Sequence, residues 1–238
     1  MSSDETTPVD PEIRRMVAKI GAEHQKILSS IGTVTTYWGM LEGNLCDLFT
    51  ALNNQGNEEV SGVVFYAPSN TETRLGFIER LIIYHFEFRS GSPDIDSNIV
   101  AAWRNILGKI NTLKNTRNAI AHGIMSSSAI SLKNQTARLT PAFADVLRFL
   151  PNLLKKQHPG LGSAEIETHI KAIGRVNDRV RTLASIVRCH LREPAGLDQV
   201  AIQELRELAP QQSSETSGQS DPDDTQPAPQ TSPESSPE

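Results

Sequence analysis

Apolar residues between Ile99 and Ile124 recur at alternating intervals of four and three, which constrains the fold more than any other feature of the chain. This spacing predicts a helix with one buried seam, formed by Ile99, Trp103, Ile106, Ile110, Leu113, Ile120 and Ile124. At one position in the seam, Arg117 stands where the pattern predicts an apolar residue. A buried arginine must meet a carboxylate or a phosphate, because an unpaired buried charge is strongly destabilising.

Similar spacing predicts helices along most of the chain. We expect helices over 11–31, 34–52, 71–88, 94–123, 140–158 (interrupted at Pro151), 163–192 and 197–208, with a break at 29–32 and a connector over 54–70. The helix over 71–88 is apolar on most sides, so it is expected to be the most buried one. Weak alternation over 124–139 predicts a small hairpin or an irregular arm.

These patterns predict an all-α helical bundle over residues 11–208, with a disordered lead over 1–10. Residues 209–238 are rich in Pro and Ser and lack bulky apolar side chains, so a disordered acidic tail is expected there. The net charge is −5, but the tail holds six acids and no base and the lead holds three acids, which leaves +4 for residues 11–209. This balance is compatible with a polyanionic partner without requiring one. No apolar run approaches the length of a membrane span and the first ten residues do not resemble a signal peptide, so we expect a cytoplasmic protein that does not enter a membrane.

The predicted helix over 94–123 also has a polar face that holds candidates for chemistry. Asn111, Asn115, Asn118 and His122 are spaced by four, three and four residues, so they project from one side. His122 lies about 140° around an ideal helix from Arg117, so the two side chains do not stack on each other. Gly123 suits the residue that follows a helix end, where the helix dipole favours an imidazolium at His122.

A histidine and an arginine together are the side chains that phosphodiester cleavage without a metal needs. The histidine transfers protons at the attacking or leaving oxygen, and the arginine stabilises the charge that grows on phosphorus. The histidines and cysteines show no spacing typical of metal ligands, so neither a metal nor a cofactor is expected. A structural alternative is that Arg117 forms an ion pair with Glu42 or Glu79 and that His122 caps the last carbonyls of its helix.

The last long helix has a cationic face that includes Arg175 and Arg179. It is either a solvated surface or one that follows the phosphates of a nucleic acid. We treat Asn111, Asn115, Arg175 and Arg179 as candidate RNA contacts.

Two segments resemble the HEPN superfamily. The run from Arg117 through Asn118 to His122 is similar to the Arg-x4–6-His motif of that superfamily, with a polar residue directly after the arginine. Trp38-Gly39-Met40-Leu41-Glu42 resembles a helix with the pattern W-x-x-L-E that occurs in many bacterial HEPN-like proteins. The likeness covers roughly residues 11–192.

The resemblance implies a helical bundle and a function. Many HEPN proteins are metal-independent endoribonucleases, often toxins or defence factors, whose dimers bring two motifs into one cleft. There a ribose 2′-hydroxyl attacks the adjacent phosphate. Carried over by position, Arg117 would polarise the phosphate, Asn118 would orient it, and His122 would transfer protons. Other members are inactive modules that bind a partner protein or a nucleotide, and some are paired with a nucleotidyltransferase. The expected partners are therefore a second copy of the chain, RNA, and an antitoxin or nucleotidyltransferase-like protein.

Overall fold

A computed structural model describes residues 10–53, 57–88, 93–126, 137–141, 160–193 and 197–209. It contains the helices α1 (Pro11–Asn53), α2 (Glu58–Tyr66), α3 (Thr71–Ile83), α4 (Pro93–Ala121), α5 (Ser163–Arg192) and α6 (Gln199–Leu208), and the strands β1 (Gly123–Ser126) and β2 (Arg138–Pro141). A π-helical segment, Tyr84–Phe88, continues α3. The predicted all-α class is confirmed. Apart from Asp10 and Ala209, the predicted lead and tail lie outside the described residues, as does the predicted helical piece beyond Pro141.

Helix α1 is continuous, so the predicted break at 29–32 is wrong. Ile27 and Val34 are buried on the two sides of the expected break and lie seven residues apart, so one buried stripe passes through it. The hydroxyls of Thr33, Thr35 and Thr36 donate to backbone carbonyls one turn earlier, at distances of 3.0 to 3.2 Å. Tertiary packing along both halves therefore outweighs the weak helix propensity of serine and glycine.

Helices α1 and α5 form the main axis of the molecule, and they pack together more extensively than any other described pair. Three contacts join the two helices: Glu23 with Ser163, Lys26 with Glu167, and Asn44 with Asn177. Because the residue numbers rise in the same direction along both helices, the two helices are parallel. The expectation that the helix over 71–88 is the most buried is wrong. In α3 only Leu75, Ile78 and Ile82 are buried, while Phe88 at the end of the π-helical segment is 78% exposed.

Helix α4 packs antiparallel to α5. Near the start of α4, Asp96 lies 2.9 Å from His190 near the end of α5, and both side chains are buried. Asp96 therefore packs inside the first turns of α4. Farther along, Ile99, Trp103, Ile106, Ile110, Leu113 and Ile120 are all buried, as the seam predicts.

Two short segments differ from expectation. Residues 58–66 form α2, capped by the Asn57 side chain, where a connector was predicted. The predicted hairpin or arm is present in part as an antiparallel ribbon, with Gly123 opposite Pro141 and Ser126 opposite Arg138. Thr140 and Pro141 therefore lie in a strand, not at the start of a helix. Leu139 of β2 also bridges to Leu161 just before α5.

Candidate functional site

Arg117 lies at the rim of the α4 seam, between the buried residues Leu113 and Ile120. Its side chain is half-buried, and its guanidinium carbon lies 5.6 Å from the centroid of the Trp38 ring. Trp38 itself is only 4% exposed, so α1 supplies a fixed aromatic surface on which the arginine rests. A guanidinium can stack on an aromatic face and still present donors to a ligand.

The Arg117 guanidinium has a neutral partner. Its Nη1 donates to Oδ1 of the adjacent Asn118 at 3.1 Å. Within the described residues Arg117 forms no ion pair. The structural alternative, an ion pair between Arg117 and Glu42 or Glu79, is therefore not observed among the described residues.

The carboxylate of Glu42 is held by a different set of groups. It lies 3.4 Å from Nη1 of Arg74 and accepts a hydrogen bond from the Thr71 hydroxyl at 3.2 Å. Arg74 also lies over the rings of Phe65 and Tyr66, at 5.9 and 5.1 Å. Glu42 thus fastens α1 to the start of α3, and Arg117 keeps its charge available.

Arg117 opens into a groove of about 220 Å³ between α4 and the N-terminus of α3, lined by Trp38, Asn70, Thr71, Glu72, Lys114, Arg117 and Asn118. Lys114 and Glu72 form an ion pair across it. The hydrogen bond from Lys114 lowers the pKa of Glu72, so this carboxylate is ionised and neutralises the lysine. We call this cavity the Arg117 groove. Among its described lining residues, Arg117 is the charge that no carboxylate neutralises.

His122 follows α4 directly and is exposed. Its backbone N–H donates to the Asn118 carbonyl at 3.0 Å, which prolongs the helix by one bond. The His122 side chain makes no hydrogen bond within the described ranges and does not line the Arg117 groove. The alternative in which this imidazole caps the helix carbonyls is therefore not observed.

Gly123 has a different role from the one its sequence position suggests. Its φ angle is not positive, so it does not act as a left-handed residue after the helix. A Cβ at this position would lie 2.5 Å from Cγ of Leu139 and 2.9 Å from the Ala119 carbonyl oxygen. The glycine lets β2 approach the end of α4 closely, and this contact fixes where His122 leaves the helix.

The other candidates separate into two groups. Asn111 and Asn115 are exposed on the same side of α4 as Asn118 and His122, as the spacing predicts, but they do not line the Arg117 groove. Arg175 and Arg179 face a second groove between α4 and α5 that shares no lining residue with the first. The structure therefore brings Arg117 and Asn118 together and leaves His122, Arg175 and Arg179 outside that pair.

Sequence reasoning missed four residues that shape these grooves: Asn70, Lys114, Lys109 and, as a platform for arginine, Trp38. Lys114 stands three residues before Arg117, a spacing that places both on neighbouring parts of the α4 surface. Lys109 gave no comparable signal, because its role depends on contacts with another helix.

No protein-family model, curated protein or solved structure matches the chain. The described ranges contain no group of three or more His, Cys, Asp or Glu side chains that could hold a metal ion. None of their helices combines the length and the apolar character needed to span a membrane.

Proposed function

We propose that this protein is a metal-independent endoribonuclease of the HEPN type that acts as a cytoplasmic homodimer. The observation that carries the proposal is the state of Arg117: half-buried, resting on Trp38, hydrogen-bonded to Asn118 and without a carboxylate partner among the described residues. An arginine held in this way is preorganised to receive a phosphate, because little side-chain freedom remains to be lost on binding.

The chemistry assigned to the site needs only protein groups and the RNA itself. The ribose 2′-oxygen forms a bond to phosphorus while the bond from phosphorus to the 5′-oxygen breaks. His122 takes the proton of the 2′-hydroxyl while water protonates the leaving 5′-oxygen, or His122 protonates the 5′-oxygen while water accepts the proton of the 2′-hydroxyl. Arg117 stabilises the charge on the phosphoryl oxygens. The products are a 2′,3′-cyclic phosphate and a 5′-hydroxyl.

The dimer is part of the proposal because of the offset between Arg117 and His122. The two side chains diverge by about 140° on an ideal helix, and His122 does not line the Arg117 groove of its own chain. A second copy can bring its His122 to the Arg117 groove of the first. By the same resemblance, the biological role is that of a toxin or defence factor, with an antitoxin or a nucleotidyltransferase-like protein as partner.

The test is cleavage of RNA in the presence of a chelator by wild type, Arg117→Ala and His122→Ala. We expect wild type to yield 2′,3′-cyclic phosphate ends, and each substitution to lower the rate by about 10²–10⁴-fold. Arg104→Ala is the matched control, because Arg104 is an exposed arginine of the same helix that pairs with Glu87; it should cleave as wild type does. Cleavage by His122→Ala at the wild-type rate would refute the assignment.

A second candidate function is a non-catalytic module that binds a partner protein or a nucleotide. The absence of His122 from the Arg117 groove of a single chain favours it. The same experiment separates the two functions, because a binding module leaves every RNA intact in all four proteins.

A further inference from the structure

The second groove, between α4 and α5, gathers three cations around an apolar floor. It has a volume of about 400 Å³ and is lined by Lys109, Thr112, Leu113, Ala172, Arg175, Val176 and Arg179. The four α5 residues are spaced by three, one and three, so they form one face of the helix, and Lys109 approaches from α4. No carboxylate is among these lining residues, in contrast to the Arg117 groove.

The three cations are uncompensated by any carboxylate in the part of the chain that the structure describes. None of Lys109, Arg175 and Arg179 forms an ion pair within the described ranges. One guanidinium nitrogen of Arg179, Nη1, is buried and has no hydrogen-bond partner among the described residues. A buried donor without a partner is destabilising, so a site of this kind is poised for an acceptor.

The ammonium group of Lys109 is affected by the same excess of positive charge. Its pKa is lowered, first by burial and then by the positive charges of Arg179 and Arg175. A bound anion would relieve this repulsion.

We propose that this groove binds a small organic phosphate, with its phosphate on Lys109, Arg175 and Arg179 and its apolar part on Leu113, Ala172 and Val176. Arginine pairs match phosphate oxygens through parallel N–H donors, and lysine adds a point charge. The volume lies in the range of small-ligand sites, which combine apolar walls with a few polar groups.

A small ligand fits this groove better than an RNA chain does. The groove shares no residue with the Arg117 groove, and Lys109 and Lys114, which line the two grooves, point about 140° apart on an ideal helix. The lining residues also include no aromatic side chain, whereas grooves that bind single-stranded RNA combine their cations with aromatic rings on which the bases stack. The site is therefore independent of the proposed nuclease centre.

The test is calorimetric titration of the full chain with inorganic phosphate and with phenyl phosphate, at constant ionic strength. Phenyl phosphate should bind about tenfold more tightly than inorganic phosphate, because its ring buries apolar surface. Arg179→Ala and Arg175→Ala should each lower the affinity for phenyl phosphate by tenfold or more, and Arg179→Lys should lower it by less. Arg175 is exposed, so its variant stays informative if Arg179→Ala does not fold.

The matched control is Arg181→Ala, an exposed arginine of the same helix that pairs with Asp178 outside the groove; its affinity for phenyl phosphate should equal that of wild type. Equal losses in the Arg181 and Arg175 variants would overturn the proposal, because they would indicate general charge attraction. Failure to bind phenyl phosphate, with RNA binding that depends on Arg175, would also overturn it and assign the groove to RNA. Loss of RNA cleavage in the Arg117 variant bears only on the nuclease, so the two proposals fail separately.

Discussion

At the scale of single residues, Gly123 determines how closely the ribbon packs against the end of α4. Gly123→Ala would place a Cβ 2.5 Å from Cγ of Leu139, a buried residue, so either the strand or the helix end must shift. We expect a loss of about 1–3 kcal/mol in the free energy of unfolding, measured by chemical denaturation. Leu139→Ala should relieve the clash, so the double variant should lose less than the sum of the two single losses. Additive losses would show that the two residues do not meet.

His169 is a second residue with a measurable signature. It is buried, its Nε2 has no hydrogen-bond partner within the described ranges, and burial lowers its pKa below 6.5. The unfolded chain therefore binds a proton more readily than the folded chain as the pH falls below about 6.5. Stability from the neutral His169 is complete above that pH and is lost as the pH falls through the folded-state pKa.

His169→Gln removes this titration and keeps a polar side chain of similar length. The free energy of unfolding should fall less between pH 7.5 and pH 5.5 in His169→Gln than in wild type, as measured by denaturant titration at both values. His24→Gln is the control, since His24 is exposed, and it should keep the wild-type slope. The same slope in wild type and His169→Gln would contradict the prediction.

At the scale of elements, the continuity of α1 is testable at Gly32. This glycine lies inside the helix, is exposed, and has no atom within 4 Å of a Cβ built on it. Gly32→Ala should therefore raise the free energy of unfolding by about 0.5–1 kcal/mol, because alanine has the higher helix propensity. The melting temperature should rise, in contrast to its fall in Gly123→Ala. A loss of stability at Gly32 would instead support the break that the sequence suggests.

Periodicity predicted the elements whose apolar stripe is long and regular. It gave the seam of α4, the extent of α5 and the position of α6. It missed α2, whose apolar residues Val60, Val63 and Val64 are exposed while Ser61 and Phe65 are buried. It also predicted two helices in place of α1, because local helix propensity at 29–32 carries no information about the helix that packs against both halves.

For the candidate site, the sequence predicted what one helix determines. The different sides of Arg117 and His122 follow from helix geometry alone. The hydrogen bond between the side chains of Arg117 and Asn118 does not, because consecutive residues on a helix do not face each other. Three other contacts depend on how the helices align. They are the ion pair of Glu42, the aromatic platform under Arg117, and the approach of Lys109 to Arg175 and Arg179. Those contacts require the tertiary structure, because the same sequence spacing is compatible with several alignments.

At the scale of the whole molecule, we propose that a second copy of the chain completes the nuclease centre. This arrangement predicts complementation between two inactive variants. Arg117→Ala and His122→Ala should each be inactive alone, yet a mixture of the two should cleave RNA. A mixed dimer keeps one intact arginine, from the His122→Ala chain, and one intact histidine, from the Arg117→Ala chain.

The expected size of the effect follows from counting the sites. If the chains exchange freely at equal concentration, about half of the dimers are mixed, and each keeps one of two Arg–His pairs. The mixture should therefore recover about one quarter of the wild-type rate, measured after unfolding and refolding the variants together so that subunits exchange. The control is each variant refolded alone, which stays inactive. If the co-refolded mixture contains mixed dimers and shows no cleavage, Arg117 and His122 do not act across the dimer, and their offset on α4 excludes the proposed centre.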